Sequence, residues 1–379
     1  MAGVRGRRAV VLVGVALLTA PALADDFPVP AIPCAPRQYV CLRAPSPLVV
    51  DGALDEAAWR DAAWTDPFVD IEGPVRPAPR FLTRAKLLWD DDNLYVGADL
   101  EEPDLWGTLT QRDAVIFQDN DFELFIDPDG DTHEYYELEI NALGTVWDLL
   151  LIRPYRDGGP AVNAWDIGGL RAAVRLDGTL NDPSDRDRGW TVELALPWTV
   201  LRECAHREAP PRDGDRWRLN FSRVEWRARA DGRGYAKVVD PATGRPLPED
   251  NWVWSPQGLI AMHYPEMWGV VQFSTLPSGA APVAPRNDSA DATRWALRRI
   301  YYAQKRFHLA HGCFATDLVG LGLADLVACG GAESPVIEAT TNHFEARAAG
   351  TPGGSTLVID DEGRLRTLAG KISSREKID

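Results

Sequence analysis

Phe117-Gln118-Asp119-Asn120-Asp121-Phe122-Glu123-Leu124-Phe125-Ile126-Asp127-Pro128 alternates between apolar and acidic residues, with Phe125 out of phase. Period-two alternation places Phe122, Leu124 and Ile126 on one face of a strand and Asp121, Glu123 and Asp127 on the other. Beyond a short loop, Glu134-Tyr135-Tyr136-Glu137-Leu138-Glu139-Ile140-Asn141 alternates again. Tyr136, Leu138 and Ile140 fall on its buried face, and Glu137, Glu139 and Asn141 on the other. As a hairpin, any register that keeps the apolar faces together sets Glu123 opposite Glu137 or Glu139. Like charges across a ladder destabilise it. The face therefore calls for a cation, a basic neighbouring strand or a polar ligand, and function is expected there.

Working outward, short alternating runs separated by Gly, Pro, Asn and Asp extend over residues 48–274. They include Thr83 to Trp89, Leu94 to Ala98, Gly144 to Ile152, Leu170 to Leu176, Trp190 to Leu196, Trp217 to Val224 and Gly269 to Phe273. Helical signals there are few: Leu54 to Ala63, opened by Asp51, and a turn at Trp198 to Cys204. This spacing predicts a mainly β chain built on an antiparallel β-sandwich, immunoglobulin- or jelly-roll-like. A Pro-rich lead-in occupies residues 25–47 and a Pro/Ala/Ser-rich linker residues 275–293. Residues 294–372 then read as a small C-terminal α+β unit: an amphipathic helix to His311, and strands at Val336 to Ala346 and Ser355 to Asp360. A polar tail spans residues 373–379.

Trp is frequent, at 14 residues, and a surplus of exposed Trp is what stacking sites for sugars or bases use. The net charge of −16 argues against sequence-independent nucleic-acid binding and against anionic membrane surfaces. Arg5, Arg7 and Arg8, the apolar run from Ala9 to Leu18 and the small residues Ala22-Leu23-Ala24 read as a signal peptide over residues 1–24, cut before Asp25. No later segment is apolar enough to insert into a membrane. The expected location is secreted or periplasmic. In an oxidising compartment Cys313 with Cys329, and Cys34 with Cys41, are candidate pairs, leaving Cys204.

Val49-Val50-Asp51-Gly52-Ala53-Leu54-Asp55-Glu56-Ala57-Ala58-Trp59 resembles the opening block of family 9 carbohydrate-binding modules. Asn93-Leu94-Tyr95-Val96, the segment from Asp119 to Asp127, and Glu193-Leu194-Ala195-Leu196-Pro197-Trp198 are similar to its later blocks, in the same order. The resemblance implies a secreted bacterial β-sandwich that holds structural calcium and binds sugars, often at chain ends, between two facing rings. It also implies association with xylanases and related enzymes, hence a supporting part in carbohydrate catabolism rather than catalysis. By that resemblance Phe117, where the family usually has Trp, is one clamp ring and Glu123 its polar partner. Asn251 and Trp254, three residues apart, supply the other side.

A sugar offers a C–H face to an aromatic ring and a rim of hydroxyls to carboxylate, amide or guanidinium groups. Phe117, Trp254, Glu123 and Asn251 supply that chemistry, with Asn141, Arg223, Trp252 and Trp106 as further candidates. Against it stand core packing for the rings, and an ion pair with Arg84 or Lys86 for Glu123. Trp59, Trp89, Trp190, Trp198 and Trp217 sit at core phases. Asp127, Asp129 and Asp131 crowd three carboxylates into five residues, suited to calcium or to a solvated turn. Asp51 and Asp55 are helix caps in preference to calcium ligands. Two alternatives accompany carbohydrate binding: a glycan hydrolase using carboxylates of the same face, and an interaction module that has lost the sugar. No nucleophile elbow, zinc-binding His pair, P-loop or dinucleotide fingerprint is present in the sequence.

Overall fold

A computed structural model of the chain describes residues 27–205, 208–232, 234–326, 334–350 and 354–368. The expected leader, Cys329, the Thr351-Pro352-Gly353 turn and the polar tail lie outside these residues. Eleven strands build the large unit: β1 (Gln38–Arg43), β2 (Thr83–Trp89), β3 (Asn93–Glu101), β4 (Asp121–Asp127), β5 (Tyr135–Asn141), β6 (Val146–Leu151), β7 (Arg171–Asp177), β8 (Gly189–Pro197), β9 (Arg216–Glu225), β10 (Asp250–Val253) and β11 (Gly269–Pro277). With the two-residue strands Val69–Asp70 and Ala161–Val162 they form one curled sheet. Its spatial order runs Ala161–Val162, β6, β5, β4, β9, β11, β1, β2, β3, β8, β7, with β10 branching from β9. The curl makes a sandwich. Phe122, Leu124, Ile126, Tyr136, Leu138 and Ile140 of the acidic hairpin share one apolar core with Leu87, Val96, Val192 and Leu194 of the opposite half. The expected core face of the hairpin is thus the buried one.

Pairings in this sheet are antiparallel except at β1, which lies parallel to both β11 and β2. The segment read as an irregular lead-in therefore contributes a strand that joins the two halves. The prolines around it masked a six-residue run whose Tyr39 and Cys41 point into the core. The Trp residues at core phases behave as expected: Trp59, Trp89, Trp190, Trp198 and Trp217 are 0–6% exposed.

Glu193 on β8 ties the first sequence block to the last. Its Oε2 accepts the N–H groups of Asp51 and Gly52, each at 3.0 Å, and its Oε1 accepts Trp59 Nε1 at 2.8 Å. Gly52 has φ +86°, and a Cβ there would meet the Arg175 backbone nitrogen at 2.9 Å, so the loop needs glycine. Helix α1 is shorter than expected, Ala57–Asp61, and its N-cap Glu56 makes no side-chain capping bond. Asp51 Oδ1 accepts the N–H of Ala53, an Asx turn that bends the chain before the helix rather than capping it. A second short helix, α2 (Trp198–Leu201), follows β8.

In the C-terminal unit, helix α3 (Asp291–His311) packs on an antiparallel sheet of four strands where two were expected: β12 (Val336–Ala339), β13 (Phe344–Ala349), β14 (Thr356–Asp360) and β15 (Leu365–Leu368). Its core takes in Phe27, Tyr264 and Met267, so it is seated on the sandwich through a shared apolar seam. Arg364 pins the seam by bonding Asp131 at 2.7 Å and Glu134 at 3.2 Å. Cys34 lies at this seam and Cys41 in the sandwich core, both as free thiols, which corrects their proposed pairing. Among the described residues no helix is long and apolar enough to cross a membrane.

Candidate functional site

The hairpin register sets Glu123 opposite Glu139, Phe125 opposite Glu137 and Asp121 opposite Asn141. On the flanking strands, β6 places Trp147 beside Glu139, and β9 places Ser222 beside Glu123. Asp121, Glu123, Glu137 and Glu139 thus line one face, each no more than 6% exposed. One oxygen from each of Asp121, Glu123 and Glu139 falls within 4.8 Å of the others. Two backbone amides meet part of this charge: Val224 N–H donates to Asp121 at 3.0 Å, and Phe117 N–H to Glu139 at 2.9 Å. Among the described residues, Asp121 Oδ2 and Glu137 Oε2 have no hydrogen-bond partner.

Among the described residues no basic strand compensates. Arg84 pairs with Asp99, and Lys86 donates to the Trp59 carbonyl, so neither reaches Glu123. Burial instead pushes the carboxyls toward the protonated form. Glu123 is raised to about 7, by burial first and Glu249 next among the groups that raise it, against a bond from Ser222. Glu137 is raised to about 8 by burial and the Glu123 charge. Asp121 and Glu139 stand well above the usual carboxylate range, mainly through burial.

Aromatic rings stand beside the acids. Phe117, half-buried, lies 6.5 Å from Trp147 with the ring planes at 33°. Tyr155, 52% exposed, is raised to about 12 by burial and by Glu137 and Glu139, which places it in their field. Behind Phe117, Trp226 donates its Nε1–H to the Phe117 carbonyl at 2.8 Å and carries Lys237 over its ring at 3.3 Å. Trp147 and Trp226 escaped the sequence reading. Trp147 had a signal, since it lies in the strand expected after the hairpin.

Several sequence candidates have other work. Trp254 is 1% exposed in the sandwich core, 5.9 Å from Phe221, so it does not face Phe117 across a slot. Its ring lies over Gly269, where a Cβ would come within 2.2 Å of it. Asn141 is fully buried and saturated: its Nδ2 donates to the Leu109 carbonyl and Asp119, and its Oδ1 accepts the amides of Leu143 and Thr145. Arg223, also fully buried, bonds Glu102, Glu225, Thr83 and the Glu101 carbonyl. Trp106 plugs a small cluster with Val224 and Trp226. Trp252, 3% exposed, lies in the core with the Arg80 and Arg223 guanidiniums over its ring. Asn251 keeps its place. The β4–β9–β10 register puts it on the face of Glu123, two strands away and two residues along, or roughly 12 Å, lining a groove of about 590 Å³ with Arg80 and Arg227.

In the Asp127–Asp129–Asp131 turn, three carboxylate oxygens also converge within 4.8 Å. Asp127 accepts the amides of Gly130 and Thr132, and Asp131 accepts His133 N–H and the Arg364 guanidinium. Burial and the charges of Asp129 and Asp131 hold the Asp127 carboxyl well above its usual range. An all-oxygen donor set under mutual repulsion suits a hard cation.

The family model described as "Carbohydrate family 9 binding domain-like" matches residues 50–210. Exoglucanase XynX of Acetivibrio thermocellus is 27% identical over 156 residues, which span 40% of this chain and 12% of that enzyme. A family 9 carbohydrate-binding module from Caldicellulosiruptor kristjanssonii, solved with cellotriose, is similar at 15% identity over 66% of this chain and 100% of its own, with a TM-score of 0.42. A putative carbohydrate-binding protein from Bacteroides uniformis is similar at 16% identity over 63% and 100%, with a TM-score of 0.44. The sequence blocks, the sandwich they build and the family match agree: residues 50–210 form a carbohydrate family 9 binding domain-like domain.

Proposed function

We propose that the protein binds carbohydrate without transforming it, on the sheet face formed by β4, β5 and β6. What carries the reading is the row of carboxyl groups Glu123, Glu137 and Glu139 beside the partly exposed rings of Phe117 and Trp147, inside the family-matched region. A ring stacks on the sugar's C–H face, and the carboxyls take up its hydroxyls. A protonated carboxyl donates as well as accepts, which suits hydroxyl partners of either sense. The exoglucanase relative and the cellotriose-bound neighbour support cello- and xylo-oligosaccharides as first ligands to try. In calorimetric titration with cellotriose and xylotriose, Trp147→Ala and Glu139→Gln should each weaken binding about tenfold or more. Unchanged affinity in both variants would remove this face from the reading.

A hydrolase is the second reading, favoured by one observation: glutamic acids raised to about 7 and about 8 beside other carboxylates resemble a general acid with its partner. Reducing ends released from xylan or cello-oligosaccharides by the wild type, and not by Glu123→Gln, would establish it. The Asp127 turn is proposed as a calcium position. Calcium should then raise the melting temperature, and Asp129→Asn should abolish the rise. Export is proposed from the Arg5 to Ala24 segment; a mature N-terminus at Asp25 in the secreted protein would demonstrate it.

A further inference from the structure

Between the sandwich and α3 lies a cavity of about 250 Å³ with four arginines on its walls: Arg216 and Arg218 from β9, Arg294 and Arg298 from α3. Two of the four are neutralised. Arg216 bonds Asp291 at 2.9 Å, and Arg294 bonds Asp288 at 2.7 Å and Asp291 at 2.9 Å. Glu266, also on the wall, is already held by Arg156 at 2.9 Å and by the Tyr302 hydroxyl. The charge of Arg156 is further shared with Asp157, which Lys305 bonds at 2.9 Å.

Of the other two, Arg218 has no ion pair among the described residues, and Arg298 only shares Glu266 with Arg156. Arg218 donates Nη1–H to the Trp268 carbonyl at 3.0 Å and forms no ion pair among the described residues. Asp127 faces it across the β4–β9 ladder but accepts backbone amides instead. Arg298, 3% exposed, approaches Glu266 at 3.7 Å and Thr132 Oγ1 at 3.3 Å, and its Nη1 has no hydrogen-bond partner. The Cys34 thiol on the same wall is raised to about 11 by burial and stays neutral. A desolvated guanidinium without an anion is costly. A half-buried guanidinium with no ion pair, and a buried one that shares its carboxylate and leaves Nη1 unpartnered among the described residues, call for a ligand that brings negative charge.

We infer that this cavity binds a small organic carboxylate, clamped between Arg218 and Arg298 with its body against Trp295, Val270 and Leu365. Guanidinium forks match a carboxylate's two oxygens, and the apolar wall favours a carbon skeleton over a bare inorganic ion. The volume falls below the roughly 300–1,000 Å³ of drug-sized pockets, so the ligand is of metabolite size and not a polymer. The cavity is built from the seam with α3, shares no lining residue with the sugar face and is independent of the carbohydrate reading.

The test is calorimetric titration of the full chain with D-glucuronate, succinate and benzoate, beside glucose and inorganic phosphate. At least one carboxylate should bind, and any glucose signal, arising at the sheet face, should be unaffected by Arg218→Gln or Arg298→Gln. Arg298→Gln and Arg218→Gln should each weaken that binding about tenfold or more. Ala292→Trp, at the exposed mouth of the cavity, should block it while leaving both guanidiniums and the fold in place. Which carboxylate binds best tells a sugar acid from an aliphatic or aromatic one. Silence from all three carboxylates, phosphate binding more tightly than any of them, or full binding by Ala292→Trp would overturn the assignment.

Discussion

Glu137 carries a buried oxygen without a hydrogen-bond partner, and burial with the nearby Glu123 charge raises its carboxyl to about 8. Its neighbours are acids or neutral groups: Phe125 and Leu149 across the two ladders, Asp121 and Glu123 on β4, Glu139 on its own strand, and Tyr155 within its field. An unfolded glutamate ionises near 4.3, so the folded chain keeps protons that the unfolded chain has released. This contribution favours the fold at about pH 4–5 and is lost as pH rises through 7 and 8. Melting curves should show stability falling over that range, and Glu137→Gln should flatten the fall and melt higher than wild type at pH 8. A melting temperature independent of pH between 5 and 8 would contradict the assignment. Two other residues are expected to act on folding. Trp254→Ala should cost about 3–5 kcal/mol in urea unfolding, as a buried Trp does. Arg223→Ala should cost about as much, because it strands Glu102 and Glu225 in the interior.

Among elements, β8 and the loop before α1 depend on one carboxylate. Glu193 accepts three donors with two oxygens, which a glutamine cannot reproduce because one of its ends is itself a donor. Glu193→Gln should therefore destabilise the protein by about 1–3 kcal/mol, measured by chemical unfolding. The acidic hairpin was legible because its two faces differ at every second residue, and its register followed once the apolar faces had to meet. β1 was not legible, since six residues among prolines carry too few alternations to stand out. Trp254 misled for a related reason. β10 ends at Val253, period two no longer applies beyond it, and the ring turns inward over Gly269.

At the scale of the whole molecule, the C-terminal unit covers Phe27, Tyr264 and Met267. Deleting residues 291–379 should bare that seam and show as dye binding or aggregation; a soluble monomer that binds no hydrophobic dye would mean the seam is dispensable. The residue pattern by itself determined a β-sandwich followed by a small C-terminal unit, and the polarity of each hairpin face, because period and punctuation are local properties of a chain. Only the tertiary structure decided which rings stand beside the acids, which arginines are short of counter-charge and where the C-terminal helix rests. Those depend on residues of different elements, tens to hundreds of positions apart in most cases, meeting across a curled sheet, and neither local period nor local charge encodes such meetings.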